Sequence, residues 1–111
     1  DYNGNSDEPY GIATDGSGNV YVAGYTTGDL DGNTRAGTND YFLTKYSSAG
    51  VKQYTKQVGV TGKSTKGNSI AIDAIGNVYV AGQTTGGLDN NTTPSGTDFF
   101  VAKYNSAGVK Q

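Results

Sequence analysis

Gly18-Asn19-Val20-Tyr21-Val22-Ala23-Gly24 is spelled out again at Gly76-Asn77-Val78-Tyr79-Val80-Ala81-Gly82, 58 residues further on. The match extends in both directions from this heptad. Residues 11–53 align with 69–111 without a gap, with 27 identities in 43 positions, and the SAGVKQ of 48–53 recurs at 106–111. A period of this length marks a supersecondary unit that cannot bury its apolar surface alone and stacks on its neighbours. The chain is therefore read as two tandem repeats, 1–58 and 59–111. Between 1–10 and 59–68 only Gly4/Gly62 and Ser6/Ser64 agree, so that stretch is expected to be a connecting loop.

Turn residues cut each repeat into strands. The heptad has the β-branched and aromatic content of a strand, and Asn19–Thr26 is assigned as one, with its copy at Asn77–Thr84. Before it, across a Gly/Asn turn, stands the shorter Tyr10–Asp15, copied at Asn68–Asp73. After it a polar loop, 28–39, leads to Asp40–Tyr46, copied at Asp98–Tyr104. The Ser-Ala-Gly turn then sets up Val51–Val58, whose copy would begin where the chain ends at Gln111. Strands in sequence order joined by hairpin-length turns make an antiparallel meander. The expectation is an all-β chain of seven strands, with the second repeat lacking its fourth.

The apolar residues come in unbroken runs, Val20 to Ala23 and Tyr41 to Leu43, where a sheet with one wet face would alternate. The last strand differs, because 52–57 reads Lys-Gln-Tyr-Thr-Lys-Gln. A sheet covered on both faces in the middle and polar at its outer strand fits a β-propeller blade. Gly11, Ala13 and Ala71 in the first strands are small enough for a crowded centre.

Composition narrows the function. Of 111 residues, 33% are hydrophobic and 18 are Gly, a poor supply for a large core. With charged residues at only 16% and apolar ones clustered, the chain is still expected to fold. A net charge of −2 with eight scattered Lys and Arg argues against nucleic acid as partner. No apolar run reaches membrane-spanning length, so no membrane span and a soluble chain are expected. The chain opens on Asp1 without a signal peptide, as a mature piece or a fragment would. Without Cys there is neither a disulfide frame nor a thiolate metal site.

These motifs together resemble the SBBP-type β-propeller repeat of bacterial secreted and surface proteins. The resemblance rests on Ile12, Ala13 and Asp15 with Ile70, Ala71 and Asp73, on GNVYVAG, on the LD-x-NT that follows, and on SAGVKQ. It also includes Asp40, Phe42, Lys45 and Tyr46, with Asp98, Phe100, Lys103 and Tyr104. It covers the chain apart from 1–9 and 59–67, and implies architecture and a bacterial surface location more than any activity.

Candidate chemistry is sparse. Without His or Cys, the common general base and thiol nucleophile are missing, and there is no Gly-x-Ser-x-Gly elbow or phosphate loop. No catalytic residue is nominated, and the chain is expected not to be an enzyme. Asp15 and Asp73 stand at equivalent turn entrances, where Asp accepts backbone hydrogen bonds.

Asp29, Asp31, Asn33 and Asp40 place oxygens at positions 1, 3, 5 and 12 of a loop, the spacing of an EF-hand, and are the calcium candidates. Against them stand Thr34 at the sharp-turn position, a short Asp in place of Glu, and a second copy (Gly87, Asp89, Asn91, Asp98) with one carboxylate fewer. A polar turn loop and no cofactor is the expectation.

Exposed Tyr, Asn, Asp and Thr could bind carbohydrate, although strand residues such as Tyr21 and Tyr79 are expected to pack. Asn90 and Asn91 lie in overlapping N-x-Thr sequons. The expected function is a structural and adhesive repeat segment of a larger secreted or cell-surface protein, with other copies or further repeats as partners. The alternative is a lectin-like, carbohydrate-binding propeller module.

Overall fold

The computed structural model describes residues 5–88 and 96–111. Seven strands and no helix are found there: β1 (Asp7–Thr14), β2 (Val20–Thr26), β3 (Asp40–Tyr46), β4 (Lys52–Val58), β5 (Thr65–Ile72), β6 (Val78–Thr84) and β7 (Asp98–Tyr104). They form two antiparallel meanders, β1-β2-β3-β4 and β5-β6-β7. Ladder pairing does not join the sheets beyond one isolated parallel bridge, Asn39 with Ser64. The expected meander, with its fourth strand only in the first repeat, is what the chain adopts.

The stretches expected to be connecting loop are partly strand. β1 starts at Asp7 and β5 at Thr65, because each runs through a β-bulge. Tyr10 is the extra residue between Pro9 and Gly11, and Asn68 the extra one between Gly67 and Ser69. A bulge leaves one residue unpaired and sharpens the local twist. It also accounts for the last glycine of the heptad. A Cβ on Gly24 would stand 2.0 Å from the Glu8 carbonyl oxygen, and one on Gly82 1.9 Å from that of Lys66. Strand pairing continues past the bulge through backbone groups alone, so sequence identity can fade there without the ladder ending.

Ladder partners share a face of the sheet, so the register divides each blade into a front and a back. Tyr21, Ala23, Tyr41, Leu43, Tyr54 and Val58 lie on the front of the first blade; Ile12, Val22 and Phe42 lie on its back. In the second blade Ile70, Val78, Val80, Phe100, Ala102 and Tyr104 lie on the back. The core is the front of the first blade packed on the back of the second, with Leu88 buried beside it. Identical residues consequently meet different fates. Val78 and Val80 are fully buried, whereas Val20 and Val22, their copies on the open back face, are only half-buried. Phe42, on the same back face, is 6% exposed in a groove shared with Leu30 and Pro9. Ala71, expected at a crowded centre, is exposed, while Gly11 lies against Ile70.

Repeat-equivalent positions supply an internal control. Leu43 is 0% exposed in the seam and its copy Val101 is 61% exposed. Leu43→Ala should lower unfolding free energy by about 3 kcal/mol, the usual cost of a core cavity, while Val101→Ala should change it by less than about 0.5 kcal/mol. Chemical denaturation of the two variants checks this.

Candidate functional site

Polar groups gather in three places: the β1–β2 and β5–β6 turns, the loop between β2 and β3, and the rim of the seam. The turns are organised by Asp15 and Asp73. Asp15 Oδ1 accepts the Ser17 and Asn19 amides at 2.9 and 3.0 Å, and its Oδ2 accepts Asn19 Nδ2 and the Tyr21 hydroxyl at 2.9 and 3.2 Å. Asp73 does the same with Ile75, Asn77 and Tyr79. Gly18 and Gly76 close these turns at φ of 82° and 91°, a region other residues rarely enter. The side chain of Asn19 holds the Asp15 carboxyl below its ordinary value, against the opposing effect of burial. At Asp73 burial pushes upward, and the donors led by Asn77 bring the net shift down. Burial and the Asp15 charge push the Tyr21 hydroxyl up to about 12, so it stays a donor. Both aspartates thus serve their turns, as their positions in the sequence suggest.

The four calcium candidates are not presented as one ligand set. Asp29 Oδ1 accepts the Arg35 amide at 2.8 Å. Asp31, the one non-glycine residue with positive φ among the described residues, receives Lys52 Nζ on its two oxygens at 2.8 and 2.9 Å, and the Thr55 hydroxyl. The Lys52 contact is the main cause of its lowered pKa. Asn33 uses its amide as a donor, to the Leu30 and Thr55 carbonyls. Asp40 is fully buried and accepts the Ala36 and Gly37 amides and Gln57 Nε2. Gln57 also bonds Leu30 N and Gly28 O, fastening the loop to β4. Among the described residues no three carboxylates converge as a metal cluster. Asp89, Asn90 and Asn91 lie outside the described residues.

At the rim of the seam lies a pocket of about 330 Å³ shared by both blades. Asp15, Ser17, Asn19 and Lys45 line it from the first blade, Ile75 and Ser106 from the second. Lys45 Nζ donates to the Ser106 carbonyl at 3.0 Å and lies 5.4 Å from the Tyr21 ring centre. Tyr21 is fully buried and packs in the seam, whereas its copy Tyr79 is half-buried on the front face of the second blade. The most open large apolar side chains include Phe99, Ile12 and Val101, which the runs of apolar letters do not single out. The signal that could have found them is the parity of the ladder, once it is known which face meets the other blade.

No helix among the described residues is long and apolar enough to cross a membrane. The SBBP beta-propeller repeat model matches residues 2–31 and 53–89, more than half of the chain. The two matches end 58 residues apart, at the period found in the sequence. The chain belongs to the SBBP β-propeller repeat family. It is also similar to the regulatory protein FlaEY of Caulobacter vibrioides, at 33% identity over 112 residues. That match takes in 88% of this chain and 12% of the relative's length, so the chain spans about an eighth of that protein.

Two outcomes are expected in solution. Asp15 and Asp73 have folded-state pKa values below the ordinary 3.8. Their contribution to stability is complete above that value and is lost as pH falls through the folded pKa. The destabilisation caused by Asp15→Asn should therefore be full at neutral pH and shrink in acid below about pH 4, as thermal melts across pH would read. Calorimetric titration with calcium should give no micromolar binding, because Asp31 is held by Lys52 and Asp40 by backbone amides. A micromolar site lost in Asp31→Ala would contradict this.

Proposed function

We propose that this chain is a non-enzymatic structural and adhesive repeat module of a larger secreted or cell-surface β-propeller-type protein or assembly. One observation carries the reading: each blade uses one face to dock on the next, and the remaining front and back faces keep apolar residues open. Phe99 is 86% exposed and Ile12 70% exposed. Apolar side chains standing this far out of a sheet mark a contact surface. The secreted or surface location is supported by the resemblance to bacterial surface repeats. The lack of His and Cys, and the engagement of Asp15, Asp31, Asp40 and Asp73 by internal donors, support a role without catalysis.

The pocket at the seam favours a second reading, a lectin-like module. It offers a cation, an amide and hydroxyls at a place that would recur at every blade junction. A glycan panel separates the two. The structural reading expects no saturable binding to any sugar. Binding that saturates, and that disappears in Lys45→Ala, would replace it with the lectin reading.

A further inference from the structure

Asp-Gly occurs twice in the chain, at Asp15–Gly16 and Asp31–Gly32. Neither pair is kept in the second repeat, which has Asp73–Ala74 and Asp89–Asn90 at those positions. This dipeptide can rearrange unaided, because glycine puts no side chain in the way when its backbone nitrogen turns on the preceding carboxyl group. We propose that Asp31–Gly32 is a site of spontaneous isomerisation to isoaspartate, and that Lys52 and Thr55 set its rate by holding the Asp31 carboxyl group.

The chemistry is internal. The Gly32 nitrogen attacks Asp31 Cγ, a C–N bond forms, and a carboxyl oxygen leaves as water, closing a five-membered succinimide. Water then opens the ring at either carbonyl. Attack at Cγ restores aspartate. Attack at the Asp31 main-chain carbonyl leaves the chain running through Cγ and sets the old carbonyl carbon free as a carboxylate, which is isoaspartate. Water is lost once and gained once, so no other reactant is needed. The oxygen departs as water only from the neutral acid. Whatever holds the group ionised therefore slows ring closure.

The turn itself favours closure. Asn33 N bonds the Leu30 carbonyl at 3.0 Å, with Asp31 at φ 49° and Gly32 at φ 79°, both left-handed as a type I′ turn requires. A Cβ built on Gly32 would meet nothing within 4 Å, so the space beside its nitrogen is free. Against closure stand Lys52 Nζ, on the two Asp31 oxygens at 2.8 and 2.9 Å, and the Thr55 hydroxyl. Both donors come from β4, 21 and 24 residues away, so one substitution removes either while the turn keeps its own bond. Asp15 is the opposite case. Its donors, Ser17, Asn19 and Tyr21, belong to its own turn and the strand it leads into, and guard it as long as that turn is folded. Isomerisation at Asp31 also undoes its guard. The product carries its carboxylate one carbon nearer the backbone and one extra atom in the turn, so the clip to Lys52 and Thr55 is lost and the loop tip is unfastened.

Prolonged incubation of the 111-residue chain in mild acid tests this, with isoaspartate located by peptide mapping and electron-transfer fragmentation. Isoaspartate should accumulate at residue 31 and not at residue 15, and more slowly than in a free peptide of residues 28–35. Lys52→Met should speed it roughly two- to fivefold, the worth of an exposed ion pair, and Thr55→Val should speed it as well. Lys52→Arg, which keeps the charge and its donors, should restore the wild-type rate. Molar salt screens the pair, so it should speed the wild type and leave Lys52→Met unchanged, a reading that needs no folded variant for the wild-type arm. Circular dichroism checks that the three variants fold. Equal rates in wild type and Lys52→Met overturn the proposal. So does isoaspartate at residue 15 rising in step with that at 31, the mark of general loosening, or its absence at residue 31 of Lys52→Met while the peptide reacts.

Discussion

Within the seam, the hydroxyls of Tyr41 and Tyr104 bond each other at 2.6 Å among side chains that are otherwise apolar. Each sheet is one repeat unit that cannot cover its apolar face alone, and stacking on its neighbour is what covers it. Stacking removes Tyr21, Ala23, Tyr41 and Leu43 from water on one side and Val78, Val80 and Ala102 on the other. The buried hydroxyl pair supplies what apolar packing does not, a register: a slip of one blade on the other would leave two phenols without partners in a dry place. Tyr54 is in that situation already: its hydroxyl is buried without a hydrogen-bond partner, and burial pushes its pKa up to about 12, keeping it neutral.

From the seam outward, the polar residues follow a division of labour. Those in the turns and in the long loop are spent on the chain itself. Asp15 and Asp73 saturate the turns that aim β2 and β6, Asp40 and Gln57 tie the long loop down over β4, and Asp31 with Lys52 clips its tip. The exposed Asp31–Lys52 pair contributes little stability in water, but it takes both carboxylate oxygens out of circulation. The loop that looks like a cation site by spacing is therefore a fastened loop by bonding. What remains unspent lies on the two outer faces, and it is apolar.

Strand identity and order were legible because the heptad, the turn residues and the gapless repeat all agree, and β3 and β7 begin and end where the sequence places them. The bulges were not. Tyr10 and Asn68 have nothing in common as letters, and a bulge is made by backbone geometry, so the expected strand starts fell on the extra residue itself. The glycine ending GNVYVAG was the available clue, as its missing side chain admits the Glu8 and Lys66 carbonyls. At the candidate cation site, spacing showed which residues share a loop but not which donors reach them first. Lys52 and Gln57, 21 and 17 residues from Asp31 and Asp40, are brought in by the β3–β4 hairpin. Nor could exposure be read from residue type, since Val22 and Val80 are the same letter in the same motif, on a half-open and on a closed face.

The two faces of a blade are unlike, and that polarity gives synthesis a direction. The first blade offers its front to the second, so as the chain grows from its N-terminus, Tyr41 and Leu43 must wait for a partner one repeat away. At ordinary elongation rates, a repeat of 58 residues takes roughly 3 to 12 s to add. For that interval the nascent blade shows its stickiest surface while its own strands are already adjacent in sequence and quick to pair. The polar fourth strand then guards one of the two edges of that sheet to which a neighbouring chain on the same polysome could add. Its two lysines, Lys52 and Lys56, stand along the edge where a foreign strand would otherwise add.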